Sequence, residues 1–159
     1  MPPMSFVSRL RPELIAIAPP WRGFPDTIGG LVDALVGARA VPEAQRAEAV
    51  RAVVAREAES STAVLDIGIG VPHARLAGLK KTVVALGLSP DGLYEPVPTV
   101  PIKIVGLVLS PPDAGNDHLQ TLAGIATLLR SAPLRKTLLR ASEPAAVLQA
   151  LGRHSRSAP

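Results

Sequence analysis

Residues 102–110 read IKIVGLVLS, the most apolar run of the chain, and Pro111-Pro112 end it. Its short length and its β-branched content mark a strand rather than a helix, and one buried on both faces. A strand with no wet face needs cover above and below, which implies helices on both sides of one sheet. KTVVALGLS at 81–89 reads as a second strand, and Glu13–Ala18 (ELIAIA) as a shorter one.

The cover comes from segments with helical spacing. Asp26 can cap a helix to about Val36, with Ile28, Leu31, Val32, Leu35 and Val36 on one face and Gly37 as the stop. A second helix opens at Pro42 and runs to about Glu57, with Ala47, Val50, Val53 and Val54 inwards and Arg46, Glu48 and Arg51 towards water. A third starts at about Asn116, capped by Asn116 or Asp117, with Leu119, Leu122, Ala123, Ala126 and Leu129 as its inner face. Ser131 and Pro133 start a shorter helix to Arg140. Ser142 caps a last one, in which Val147, Leu148 and Leu151 face inwards, ending at Gly152.

Pro19–Pro25 is a loop whose Trp21 and Phe24 either pin it to the body or stack on a ligand, and Pro90–Pro101 is a proline-rich turn with Asp91-Gly92 as a hairpin signal. Residues 1–9 are expected to be a loose arm and residues 153–159 a frayed basic tail. The expectation is one α/β domain, a mixed β-sheet with helices on both faces.

Composition limits the chemistry. The chain lacks cysteine, which excludes disulfides, thiolate metal sites and cysteine nucleophiles, and fits a reducing cytoplasm. With one Trp, one Tyr and two Phe in 159 residues, the core must be aliphatic and few rings could stack on bases. The net charge is +4, from 17 basic against 13 acidic residues scattered without a like-charge run, so nucleic acid is not the expected partner. A basic surface also steers acidic protein partners. No apolar stretch is long enough to insert into a membrane and no signal-peptide pattern is visible, so a cytoplasmic protein is expected.

The chemistry concentrates at 66–75, DIGIGVPHAR. Gly68 and Gly70 admit backbone angles that a Cβ would forbid. Pro72 fixes its own φ and extends Val71, so His73 is presented on a stiff turn with Arg75 two residues on. By residue type alone, His73 is either a turn histidine that packs locally or a nucleophile. Imidazole titrates near 6.5 and is mostly unprotonated at neutral pH. A second histidine, His118, sits in the first turn of the third helix, where backbone N–H groups favour anions; it is either a cap or part of a site. As a polar first-turn residue it is expected to bury little surface. His154 is expected in solvent. His73, His118 and Asp117 have no metal-ligand spacing, and no serine lies in a nucleophile-elbow pattern.

IGVPHAR, followed at a fixed distance by DHLQTLAGIATLL, resembles the enzyme IIA domain of the bacterial phosphotransferase system, in its mannitol/fructose and nitrogen-regulatory branch. The resemblance extends over roughly residues 5–151, including the Arg56-Glu57 pair and Ser61-Thr62 ahead of the histidine loop. The stretch between Thr62 and His73 is one residue longer than the family's usual spacing, and Asp66 and Ile67 stand where glycine or asparagine is common. Backbone contacts there are therefore not carried over.

The resemblance implies the family's mixed sandwich fold and phosphoryl relay. His73 would accept a phosphoryl group from a histidine-containing phosphocarrier protein and pass it to an enzyme IIB partner. His118 would lie beside it and donate a hydrogen bond to the phosphoryl oxygens. Arg75 either neutralises phosphoryl charge or forms a surface salt bridge; Thr62 or Ser61 either contacts the phosphoryl group or only shapes the turn. The scheme requires no metal or cofactor. Two outputs fit: a carrier feeding a sugar permease, or a regulatory protein whose phosphorylation state controls binding to a target protein.

Overall fold

The computed structural model describes residues 6–157. Its strands are β1 (Ile15–Ile17), β2 (Ala63–Val64), β3 (Ile69–Gly70), β4 (His73–Arg75), β5 (Val83–Leu88), β6 (Tyr94–Val97), β7 (Val100–Ile102) and β8 (Ile104–Ser110). The helices are α1 (Phe24–Gly37), α2 (Arg46–Glu59), α3 (Gly115–Leu128), α4 (Ala132–Arg140) and α5 (Pro144–Ser157). The main sheet runs β1-β5-β8-β3-β2, and β4 also pairs with β8. β5 and β2 are antiparallel to their neighbours β8 and β3, whereas β1 lies parallel to β5 and both β3 and β4 run parallel to β8. The sheet is therefore mixed, with β8 at its centre.

Every residue of β5 and β8 is buried. Directly paired residues share a face, so Leu86 and Gly106 point one way and Gly87 and Val105 the other. A Cβ on Gly106 would meet Ile125 of α3, and one on Gly87 would meet Leu31 of α1. α1 and α3 thus cover opposite faces, as a doubly buried strand requires. α1 packs against α2, and α4 against α5. The largest fully buried side chains are all Leu or Ile, among them Leu31, Leu86, Leu107 and Ile125.

The helices depart from expectation in detail. α1 starts at Phe24 rather than Asp26, whose carboxylate instead accepts the Arg22 N–H at 2.8 Å. Trp21 packs over Gly30 and Phe24 makes an edge contact with Tyr94, ring centroids 5.0 Å apart, so both pin this region. A 3-10 turn at Glu43–Gln45 precedes α2, whose buried residues are Ala49 and Val53, while Ala47 is exposed. Arg46 faces water as expected and pairs there with Asp33 of α1. Ser131 caps α4, accepting Leu134 N–H at 3.2 Å. α5 does not stop at Gly152 but continues to Ser157, and its His154 is half-buried.

Residues 6–9 are not a loose arm: they form a 3-10 turn with Phe6 buried. The rest of the expected arm, residues 1–5, and the end of the tail, residues 158–159, lie outside the described residues. The proline-rich segment 90–101 is not merely a turn, because β6 and β7 form an antiparallel ribbon in it. Its tight turn uses Thr99 at φ 69°, while Gly92 at φ 95° shapes the approach from β5. Among the described residues, no helix is long and apolar enough to cross a membrane.

Candidate functional site

β3 and β4 share one register on β8: Ile69 faces Ile104, and His73 faces Val108. They are one extended segment in which Pro72, lacking an N–H, interrupts the ladder. The Pro72 carbonyl still accepts the Val108 N–H at 3.0 Å. His73 is therefore presented at the start of a strand, not on a turn. Gly68 has the positive φ its position needs, 67°. Gly70 does not; it is a glycine because a Cβ there would overlap the Tyr94 hydroxyl. The approach to His73 folds into the β2–β3 hairpin, whose turn donates Ile67 and Gly68 N–H to the Val64 carbonyl.

The alternation of a strand puts His73 and Arg75 on one face, together with their partners Val108 and Ser110. That is the face of Gly106, which α3 covers. His118, in the first turn of α3, meets His73 there edge to face, ring centroids 5.3 Å apart. The two lie in a cleft of about 400 Å³ lined by Ala52, Arg56, His73, Ala74, Arg75, His118, Leu119 and Leu122. Larger depressions of about 590 and 720 Å³ elsewhere hold no histidine.

His73 Nδ1 lies 2.9 Å from the Val71 carbonyl oxygen. A carbonyl only accepts, so the proton of the neutral ring is on Nδ1 and Nε2 carries the lone pair. His118 is 4 % exposed, and its Nδ1 lies 2.6 Å from Ser110 Oγ. Burial, then the positive charge of Arg75 and the neighbouring His73, push the His118 pKa down to about 4, against a smaller opposite pull from Asp117. His118 is neutral at pH 7 and much more buried than a first-turn residue was expected to be.

The other expected site residues divide. Arg75 reaches the cleft and donates to the Pro111 carbonyl at 3.4 Å; it makes no ion pair among the described residues. Thr62 and Ser61 do not line the cleft. Glu57 holds both hydroxyls, accepting Thr62 Oγ1–H at 2.7 Å and Ser61 Oγ–H at 3.2 Å. Asp117 does not cap α3, which begins without a side-chain cap; it accepts Arg9 Nη2–H at 2.7 Å instead. Leu119, expected on the inner face of α3, is 64 % exposed at the cleft mouth. Among the described residues, no group of three or more His, Cys, Asp or Glu could hold a metal ion.

Two residues, one lining the cleft and one buried beneath it, escaped the sequence reading. Arg56 reads only as half of the Arg56-Glu57 pair ahead of the histidine loop, but α2 packs on β4 and brings it to the cleft. Among the described residues, one of its five N–H donors is used, by the Ser60 carbonyl at 3.2 Å. Ser110 supports His118 from below. Its one signal was a hydroxyl closing an otherwise apolar strand.

The fold has solved counterparts. The nitrogen regulatory protein IIA-Ntr from Neisseria meningitidis superposes with a TM-score of 0.77 at 22 % identity, covering 91 % of this chain and 97 % of that one. The complex of enzyme IIAMTL and phosphorylated enzyme IIBMTL from Escherichia coli superposes at 0.72 with 21 % identity, over 91 % and 97 %. At such identities these likenesses establish the fold. The sequence then gives the family. Residues 9–154 match the model of the phosphoenolpyruvate-dependent sugar phosphotransferase system, EIIA 2, and the chain belongs to that family. It is 33 % identical over 147 residues to a fructose-specific EIIA component of Haloferax volcanii, covering 91 % of this chain and 94 % of that protein. It is 34 % identical over 106 residues to a fructose-specific EIIABC component of Bacillus subtilis, 66 % of this chain but 16 % of that longer protein.

Proposed function

We propose that this protein is a cytoplasmic phosphoryl carrier, a single enzyme IIA domain that accepts the group on His73 Nε2 from a histidine phosphocarrier protein and hands it to an enzyme IIB partner in sugar uptake. The observation that carries the reading is the pairing in one cleft of His73, its Nδ1 committed to Val71, with a neutral His118 and two arginines. The Nε2 lone pair attacks phosphorus, the donor's P–N bond breaks, and its electron pair returns to the donor imidazole. The second transfer runs the same way towards the acceptor. His118 and the guanidinium groups of Arg56 and Arg75 oppose the phosphoryl charge, while Leu119 and Leu122 leave an apolar rim for a protein partner. Family membership and the likeness to a complex with phosphorylated enzyme IIB support the partner.

A regulatory reading has its own support in the likeness to the nitrogen regulatory protein. There the same phosphohistidine would control binding to a target. Both readings share one test. Incubation with phosphoenolpyruvate, enzyme I and the phosphocarrier should label the chain with an acid-labile, base-stable phosphoryl group. His73→Ala should abolish the label; equal labelling of the variant would reject the assignment.

A further inference from the structure

His118 ends a buried chain of hydroxyls. Its Nδ1 lies 2.6 Å from Ser110 Oγ, which lies 3.0 Å from Thr82 Oγ1. The chain follows from register: Val83 pairs with Leu109, so Thr82 and Ser110 stand opposite each other on the face that α3 covers. Both are at most 1 % exposed, so their protons must find acceptors within the protein. Arg9 holds the far end, donating to the Thr82 carbonyl at 2.9 Å and to Asp117 of α3 at 2.7 Å.

The proton inventory allows two orders. With its proton on Nδ1, His118 would donate to Ser110 and Ser110 to Thr82. The buried Thr82 proton would then face no acceptor, because Ser110 is the hydroxyl's one hydrogen-bond partner among the described residues. A buried donor without an acceptor is the costly kind of orphan. In the reverse order Thr82 donates to Ser110 and Ser110 to Nδ1. Every hydroxyl proton is then paired, and the ring's own proton sits on Nε2, the nitrogen away from Ser110.

We propose that Ser110, backed by Thr82, is a positioning residue that fixes His118 in the Nε2–H tautomer, so that His118 meets the transferred phosphoryl group as a hydrogen-bond donor. The second half rests on the carrier function proposed above; the first half stands on the hydroxyl chain alone. A neutral imidazole with its proton on Nδ1 would instead turn a lone pair towards the phosphoryl oxygens and repel them.

The test is a long-range ¹H–¹⁵N spectrum of the unphosphorylated protein with ¹⁵N-labelled histidine. His118 should show a protonated Nε2 and an unprotonated, hydrogen-bonded Nδ1. In Ser110→Ala the Nδ1 resonance should move downfield, the second tautomer should become detectable, and transfer through His73 should slow about tenfold. Thr82→Val, of the same shape, should keep the Nε2–H tautomer. A wild-type ring protonated on Nδ1, a Thr82→Val variant that switches tautomer, or Ser110→Ala with an unchanged spectrum would each overturn the proposal. If Ser110→Ala does not fold, the wild-type and Thr82→Val spectra decide. A protein that takes no phosphoryl group defeats the carrier reading, while the spectrum still decides the tautomer.

Discussion

Replacing His118 by alanine should separate catalysis from stability. The ring is 4 % exposed and bonded to Ser110, so truncation opens a void beside the cleft and takes the acceptor from a buried hydroxyl. A lost acceptor costs about 1–3 kcal/mol. The void adds less than a sealed cavity, because it opens on the cleft and water can enter. For a domain of this size a loss of that order lowers Tm by roughly 3–10 °C. The rate effect is independent of it. A hydrogen bond from the His118 N–H to a charged phosphoryl oxygen is worth about 1.5–3 kcal/mol, and if realised mainly in the transition state its loss slows transfer roughly ten- to a hundred-fold. Rapid-quench transfer from the phosphorylated carrier, run below the variant's Tm with thermal melts alongside, reads both quantities. Wild-type rates in both directions would refute the role given to His118. An unchanged Tm would refute its buried anchorage.

Two further outcomes follow from buried groups. The folded His118 pKa of about 4 lies below the unfolded value near 6.5, so between them the unfolded chain binds more protons and stability rises with pH. The contribution is complete above about 6.5 and is lost as pH falls towards 4. It amounts to at most ~3 kcal/mol, less what water in the cleft screens. Denaturant titrations of the wild type and His118→Gln should diverge over that window, and parallel curves would exclude the effect. Gly70→Ala should destabilise by about 1–3 kcal/mol through overlap with the Tyr94 hydroxyl, and much of the loss should disappear in the Gly70→Ala, Tyr94→Phe double variant. That hydroxyl has no hydrogen-bond partner among the described residues, so Tyr94→Phe alone should be nearly silent; purely additive effects would contradict the clash.

The central strand was legible because burial on both faces leaves a continuous apolar run between prolines, and β8 carries it. The β6–β7 ribbon was not, because Pro96, Pro98 and Pro101 read as breakers; they are tolerated in a separate two-stranded ribbon, which is all edge. On α3 the hydrophobic pattern pointed to Leu119, yet the inner face carries His118, Thr121, Ile125 and Leu128. Polar groups occupy it because Ser110 meets His118 and the Asp117 carbonyl accepts the Thr121 hydroxyl, and hydrophobic periodicity cannot register hydrogen bonds. For the site, DIGIGVPHAR pointed to His73 directly. Arg56 and Ser110 reach it through packing and strand register, which no local motif encodes.

Which atom receives the phosphoryl group decides the mechanism. Protein with ¹⁵N-labelled histidine, incubated with phosphoenolpyruvate, enzyme I and the phosphocarrier, can be examined for ³¹P–¹⁵N coupling at each ring nitrogen. The expected result is coupling to His73 Nε2 alone, with Nδ1 still protonated against the Val71 carbonyl. Coupling to His73 Nδ1, to His118, or to no histidine would contradict it.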